Sequence, residues 1–327
     1  MEVGVVERKK SKNKYAKYGY LFSLPFIITF LIFSLYPIIY TFVISFSDLQ
    51  GVASGNINIL SNPFENYVNM FNNQTFRTSL QNTVVLWIVN FIPQIALATL
   101  LAAWFTNKQL NVKRSGFFKT LFYMPNIITA ASIAILFGSL FGAPTGPFND
   151  IFMRLGWIDS PVHWFRSATT ARATVAFIQF WMWYGSTMII MVAGINGINT
   201  ALFEAAAIDG ANGIQTFFKV TLPQLKPIVL FTLVTSFIGG MQMFDIPMLL
   251  VDRSGPDNAT LTSAVFVFNQ AFGGGRLWNR AAAASMILFV VCAIIAGGLF
   301  FFFRDKDAIA IKKVKKKAMK KLKEGKA

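Results

Sequence analysis

Charged side chains are scarce in this chain. Asp, Glu, Lys and Arg make up 13% of its 327 residues, whereas hydrophobic residues make up 54% and the mean hydropathy is +0.52. Soluble globular proteins contain about 25% charged and about 45–50% apolar residues. The shortage of charge excludes an ordinary soluble domain and places the chain in a membrane.

Cysteine and histidine are almost absent as well. The single cysteine, Cys292, excludes a disulfide framework. The single histidine, His163, excludes a histidine-based metal cluster and a Ser-His-Asp triad. No G-x-x-x-x-G-K-S/T sequence is present to cradle phosphates, and no catalytic pair of carboxylates or metal-ligand spacing is found. The sequence therefore predicts a protein that is not an enzyme and that binds no metal or cofactor itself.

Long apolar runs dominate the remainder of the chain. A helix that crosses a bilayer needs about 20 mostly apolar residues, and six runs meet this requirement. They cover residues 20–46, 83–105, 117–141, 173–195, 228–251 and 281–303. The first run is too long for a signal peptide and lacks a small-residue cleavage site, so we expect a retained anchor. The predicted fold is an all-α polytopic membrane protein with six transmembrane helices.

The basic residues are divided unequally between the two sides of these spans. Of the 30 Lys and Arg residues, 23 lie on the side with both termini, and the other side has 7, all Arg. Cytoplasmic loops are enriched in Lys and Arg, so both termini are predicted to be cytoplasmic. The net charge of +16 then follows from topology, and nucleic acid is not an expected partner.

This topology divides the chain into three parts. They are a basic cytoplasmic tail, 1–19, a six-span domain, 20–303, and a Lys-rich cytoplasmic tail, 304–327. The last tail has Ile311, Val314, Ala318 and Leu322 at helical spacing, which fits an amphipathic helix with membrane lipid as its partner. A disordered stop-transfer tail is the alternative.

The loops opposite the termini are too short to fold as a domain, so a module that captures substrate has to be another chain.

The most informative segment lies between the fourth and fifth runs, at about residues 196–227. Asn199 or Thr200 can cap a first short helix, and Gly210 permits a turn with positive φ. A second short helix is expected from about 212 to 220, and Leu222-Pro223 should end it. The segment contains Glu204-Ala205-Ala206-Ala207-Ile208-Asp209-Gly210-Ala211, followed by Phe217, Phe218, Val220 and Leu222-Pro223.

This pattern resembles the EAA loop in the permease subunits of binding-protein-dependent ABC importers. Other parts of the chain, from about 20 to 303, resemble in particular the sugar-type permeases related to the larger subunit of the maltose importer. The segments that carry this likeness are Tyr36-Pro37, Phe64-Glu65-Asn66-Tyr67, Tyr123-Met124-Pro125-Asn126, and Phe244-Asp245 with Gly255-Pro256 and Thr260.

The resemblance implies a subunit of an ATP-driven carbohydrate importer that works by alternating access in a bacterial or archaeal cytoplasmic membrane. It implies a second, homologous permease subunit as heterodimer partner, two ATPase subunits that use ATP and Mg, and an extracytoplasmic solute-binding protein. It also implies that the first helix of the loop docks into a cleft on the ATPase. The implied coupling residues are Glu204, Ala205, Ala206, Asp209, Gly210, Leu222 and Pro223. A helical hairpin packed on its own bundle is the alternative for this loop.

Polar and aromatic residues inside the fourth and fifth runs are candidates for a substrate path. Aromatic rings can stack on the apolar faces of a sugar, and polar groups can bind its hydroxyls. The candidates are Gln179, Trp183 and Ser186, which share a helix face, and Gln242, Phe244 and Asp245, with Gln242 expected on the same face as Asp245. A carboxylate inside a bilayer is costly, so an ion-coupled secondary transporter that uses Asp245 is the alternative function. Packing between helices is the alternative role for these side chains.

Overall fold

The computed structural model describes residues 16–51, 57–107, 112–252 and 254–303. Within these ranges regular structure is helical, apart from an isolated bridge between Ser47 and Ile59. The predicted Lys-rich tail, 304–327, and most of the predicted N-terminal tail, 1–19, lie outside the described residues. The all-α prediction is confirmed.

The first two spans are long helices joined by a short one. The first span comprises α1 (Ala16–Phe30), a π-helical turn (Leu31–Leu35) and α2 (Tyr36–Ile44). A short helix, α3 (Glu65–Asn72), leads into the second span, α4 (Gln74–Thr106). The side chain of Asn73 caps α4 by accepting a hydrogen bond of 3.0 Å from the backbone N–H of Phe76.

The third predicted span is bent. α5 (Ser115–Tyr123) continues into a 3-10 turn (Met124–Ile127), and α6 (Ala130–Leu140) follows at an angle of 92°. Pro125 lies in the turn and has no N–H to donate, and the side chain of Thr129 caps α6. The predicted span over 117–141 is therefore present as a bent pair of helices and not as one straight helix. In the described residues five helices are long and apolar enough to span a membrane, and the bent pair makes a sixth.

The fourth span is α8 (Ala168–Asn196), which follows a short helix, α7 (Pro147–Arg154). The predicted loop contains α9 (Thr200–Ile208), α10 (Gly213–Thr216), a π-helical turn (Phe217–Thr221) and α11 (Leu222–Gln224). We call the end of the bundle that carries this segment the loop end, and the other the opposite end.

The fifth span is interrupted. α12 (Lys226–Met241) stops at Gln242, and α13 (Asp245–Leu250) starts three residues later. Phe244, at φ −127° and ψ −55°, is not helical. Gln242 and Asp245 therefore lie on either side of a break, and the prediction that they share a helix face is wrong. A 3-10 turn (Pro256–Asn258), α14 (Ser263–Phe272) and the last span, α15 (Trp278–Phe303), complete the described fold.

Three clusters of buried apolar side chains hold these helices together. The first joins α4, α6, α8 and α13, the second joins α3, α4, α14 and α15, and the third joins α4, α8 and the start of α12. Their fully buried members include Ile133, Ile178 and Ile246, then Met70, Phe76 and Phe266, then Ala98, Met188 and Leu225. α4 contributes to all three clusters, α8 contributes to two, and the two helices pack against each other, so they form the centre of the bundle.

Candidate functional site

The first helix of the predicted loop, α9, has a defined cap at each end. The side chain of Asn199 accepts a hydrogen bond of 3.0 Å from Ala201 N, which confirms one of the two expected caps. At the other end Gly210 has a φ of +74°, and its N–H bonds the carbonyl oxygen of Ala207 at 3.1 Å. The predicted turn at Asp209-Gly210 is confirmed, because glycine adopts this φ without strain.

Most of α9 is exposed. All residues of α9 are described, and of these only Ala206 is buried. Glu204 and Ala205 are exposed, and so are Asp209 and Gly210 in the turn that follows. The side chain of Ile208 is 86% exposed. Ile214, in α10 after the turn, is 72% exposed, so the loop carries two highly exposed isoleucines.

A cavity of about 410 Å³ separates α9 from the bundle. It lies between the ends of α4 and α8 on one side and α9, α10 and the following π-helical turn on the other. Phe203 and Glu204 line it from α9, and Thr106 and Asn196 line it from the two spans. Phe203 also packs against the third buried cluster, so α9 contacts the bundle through this side chain beside the cavity.

The second part of the loop is continuous with the fifth span. Asn212 and Gln215 form a reciprocal capping box at the start of α10, with hydrogen bonds of 2.8 and 3.0 Å. Helical bonding then continues beyond Pro223, because Leu225 N bonds Thr221 O at 3.0 Å and Val229 N bonds Leu225 O at 2.9 Å. The prediction that Leu222-Pro223 end this helix is wrong. Pro223 is accommodated because it lies in the first turn of α11, where an N–H has no helical partner.

The predicted path residues on α8 form a bonded group. Trp183 Nε1 donates to Gln179 Oε1 at 3.2 Å, and Ser186 Oγ donates to the carbonyl oxygen of Trp183 at 3.0 Å. Gln179 is 8% exposed, whereas Trp183 is 47% exposed. A buried amide thus orients an indole ring that lies on the surface of the bundle.

The predicted path residues of the fifth span flank its break. Gln242 and Asp245 are exposed, and Phe244 is half-buried with its ring centroid 5.2 Å from that of Phe268. Met182 of α8 and Met243 belong to the same buried cluster. The two candidate groups are therefore next to one apolar cluster. In the described parts of the chain, no three His, Cys, Asp or Glu side chains are grouped so as to hold a metal ion.

Sequence reasoning missed one group of polar residues at the opposite end. Arg172, counted only as a loop charge, donates from Nη2 to Asn82 Oδ1 at 3.0 Å and from Nε to Ala259 O at 2.9 Å. Thr262 Oγ1 donates to the carbonyl oxygen of Met243 at 2.6 Å. A single sequence contains no signal for these pairs, because Arg172 and Ala259 are 87 residues apart. In the sequence, only the resemblance to sugar-type permeases around Gly255-Pro256 and Thr260 drew attention to the segment that contains Ala259 and Thr262.

Known proteins are similar to this chain in sequence and in fold. Residues 72–306 match the family described as binding-protein-dependent transport system inner membrane component. The chain is 32% identical to the lactose transport system permease protein LacF of Rhizobium radiobacter, over 83% of this chain and 88% of that protein. It is 35% identical to the arabinooligosaccharides transport system permease protein AraP of Bacillus subtilis, over 77% of each.

A solved structure has the same fold. It is a bacterial ABC transporter involved in the import of the acidic polysaccharide alginate, with a TM-score of 0.74, 23% identity, and coverage of 90% of this chain and 96% of that chain. The family match makes the chain a multi-pass protein of the cell membrane and supports an ABC permease over the ion-coupled alternative. The chain belongs to the family of binding-protein-dependent transport system inner membrane components, and it is a permease subunit of an ABC importer, not an enzyme.

Proposed function

We propose that this subunit forms half of a translocation path for a carbohydrate, and that α9 couples the path to ATP hydrolysis in partner subunits. The relatives named for lactose, for arabinooligosaccharides and for sulfoquinovosyl glycerol support a substrate that contains a sugar. The observation that carries the coupling role is the exposure of α9 above a cavity, with Ile208 86% exposed.

The loop is built to transmit movement. Its exposed surface, Glu204, Ala205 and Ile208, has little bulk near the two alanines, so another protein surface can approach closely. From Gly213 onward, helical turns run without a long gap into α12. A force applied to the loop therefore reaches the break at 242–244 through about 40 Å of helix, from the rise of 1.5 Å per residue.

The orientation of the subunit in the membrane follows from the uneven distribution of its basic residues. Because 23 of the 30 basic residues lie on the side of the termini and the loop, we place this side in the cytoplasm, where an ATPase has access to ATP and Mg. A solute-binding protein then docks at the opposite end. A second, homologous permease chain supplies the other half of the path, as a heterodimer.

The proposed path lies beside Trp183 and the break in the fifth span. An indole held by an amide offers a fixed apolar face for a sugar ring, and Ser186 adds a hydroxyl close by. Gln242 and Asp245 provide polar groups at an exposed position, and Phe244 adds a second ring. Alternating access exposes this group first to the binding protein and then to the cytoplasm.

The test is co-purification of the importer from mild detergent. The native chain is compared with Glu204→Lys in the loop and with a control, Glu65→Lys, an exposed carboxylate of α3 at the opposite end. We expect ATPase subunits and a second permease to accompany the native chain and Glu65→Lys, and the ATPase to be lost or uncoupled in Glu204→Lys. If the native chain purifies alone and moves sugar in liposomes under an ion gradient without ATP, the proposal fails.

A further inference from the structure

The segment from Ser254 to Thr262, at the opposite end, is folded into the bundle. Ala259, Thr260, Leu261 and Thr262 are each 3% exposed or less. Loops normally run over a protein's surface, because buried backbone groups need hydrogen-bond partners. Four backbone positions in this stretch have positive φ: Asp252 at 48°, Gly255 at 64°, Asp257 at 52° and Asn258 at 58°. Asp and Asn adopt such angles more readily than other residues with a side chain, and contacts with the bundle hold this conformation in place.

Two side chains from the central helices supply those contacts. Arg172 of α8 donates to Ala259 O at 2.9 Å and to Asn82 Oδ1 at 3.0 Å. Asn82 of α4 donates in turn to Asn258 O at 2.6 Å and to Leu261 O at 3.2 Å. The guanidinium bonds are charge-assisted and therefore stronger than neutral ones. The segment is thus fixed to α4 and α8 together.

The same segment also forms a hydrogen bond to the backbone at the break in the fifth span. Thr262 Oγ1 donates to Met243 O at 2.6 Å, and both residues are buried. In a regular helix the carbonyl of Met243 would accept from the N–H four residues later, but that residue is Pro247, which has none. The threonine hydroxyl replaces the missing donor, so an otherwise unpaired buried carbonyl is satisfied.

We infer that Thr262 is a positioning residue of the substrate path, supported by Arg172 and Asn82. It holds the break at 242–244 in one conformation relative to α4 and α8, and so fixes where Gln242 and Asp245 meet the substrate. The segment around Gly255-Pro256 and Thr260 has the function of holding this break. The role in transport rests on the proposed function, whereas the effect on the break does not.

The effect on the break is tested by thiol labelling. With the native cysteine removed as Cys292→Ala, Met243→Cys, at a position 6% exposed, reports opening of the break, and Gln242→Cys, at an exposed position, reports reagent access. Thr262→Val removes the buried hydrogen bond to Met243 O and also the acceptor that caps α14 at Val265 N, and it should raise labelling at position 243 about five- to tenfold through local opening. Arg172→Lys leaves both bonds of the Thr262 hydroxyl in place, so a rise in labelling there as well does not come from the lost cap. Labelling at position 242 should change little.

Matched variants separate this effect from general loosening. Thr262→Ser keeps the hydroxyl and should restore the low labelling rate at 243. Thr41→Val removes a hydroxyl that bonds only Pro37 O within its own helix, and it should leave the rate unchanged. An unchanged labelling rate at position 243 in Thr262→Val overturns the inference.

If Thr262→Val yields no assembled protein, Arg172→Lys replaces it. Lysine cannot bond Ala259 O and Asn82 Oδ1 with the fork geometry of a guanidinium, so an unchanged labelling rate at position 243 in Arg172→Lys also overturns the inference.

Transport then tests the role in the path. In the complete importer in liposomes, Thr262→Val should retain ATP hydrolysis stimulated by the binding protein but move severalfold less sugar per ATP. Thr41→Val should keep the native ratio. A proportional fall of hydrolysis and transport in Thr262→Val indicates a structural role only and overturns the positioning role. If the native importer moves no sugar at all, the proposed function fails, and the labelling result at 243 still decides whether Thr262 holds the break.

Discussion

Asn279 donates a hydrogen bond to the side-chain oxygen of Asn66 at 3.1 Å, and both residues are 3% exposed or less. The amide of Asn66 in turn donates to the carbonyl oxygens of Ser45 and Ser47 at 3.0 and 2.9 Å. This pair therefore connects the end of the first span with α3 and the start of the last span. Only 6% of the most apolar stretch of the first span is buried among the described residues, so its position depends strongly on this connection.

Replacing Asn66 with alanine should destabilise the subunit by about 1–3 kcal/mol, because two buried carbonyls and the amide of Asn279 lose their partner. The measurement is thermal unfolding of the purified protein in detergent. Asn62→Ala is the control, since the Asn62 side chain only accepts an exposed bond from Phe64 N. Equal melting temperatures for Asn66→Ala and Asn62→Ala would show that the connection contributes little.

A second prediction concerns the crossing of α5 and α8 at Gly185. A methyl group there would overlap the backbone carbonyl of Phe122. Because a carbonyl cannot move aside as a side chain can, Gly185→Ala should separate the helices and destabilise the protein by about 1–3 kcal/mol. Gly239→Ala is the matched control, since no described atom lies within 4 Å of its added methyl. A Gly185→Ala protein as stable as Gly239→Ala would contradict this close approach.

The turn after α9 gives a prediction about coupling. Gly210 has a φ of +74° with open space around it, so Gly210→Ala is strained only through its backbone, by about 1 kcal/mol. We expect a small loss of stability and a larger loss of ATPase-driven transport, because the turn sets the direction of α9. Gly213→Ala, with open space and no positive φ, should behave like the native chain. Equal transport in the two variants would show that this turn does not orient α9.

The parts of the fold that the sequence predicts are those with local causes. Six apolar runs predict spans because span length is fixed by the bilayer, and Gly210 predicts a turn because few other residues accept its φ. The cap at Asn199 follows from the same kind of local rule. The first helix of the loop and the turn after it could therefore be placed correctly without a structure, whereas the continuation of the second helix beyond Pro223 could not.

The breaks in the third and fifth spans have causes that are only partly local. The run over 117–141 contains Pro125, which is a local signal for a break, but a proline does not report the 92° angle between the two halves. Met243 loses its helical donor because of Pro247, but only the fold brings Thr262 to it. Arg172 looks like an ordinary loop charge until Ala259 and Asn82 are seen beside it. Pairings across such distances cannot be read from one sequence.

The last prediction concerns the indole of Trp183, whose Nε1 donates to Gln179 Oε1 at 3.2 Å. Trp183→Ala removes the ring and should lower sugar transport strongly, while Trp183→Phe keeps a ring and loses only its bond, so it should lower transport less. ATP hydrolysis stimulated by the binding protein should remain in both, because neither change touches the loop. The measurement is the number of sugar molecules moved per ATP in liposomes.

Trp104→Ala is the control for this series, because Trp104 is similarly exposed, at 49%, but lies near the loop end of α4. Gln179→Leu adds a second comparison: it keeps the ring of Trp183 but removes the acceptor that orients it, so transport should fall to about the level of Trp183→Phe. If Trp183→Ala transports as well as Trp104→Ala, the ring serves packing or contact with lipid, and the sugar path lies on another face of α8.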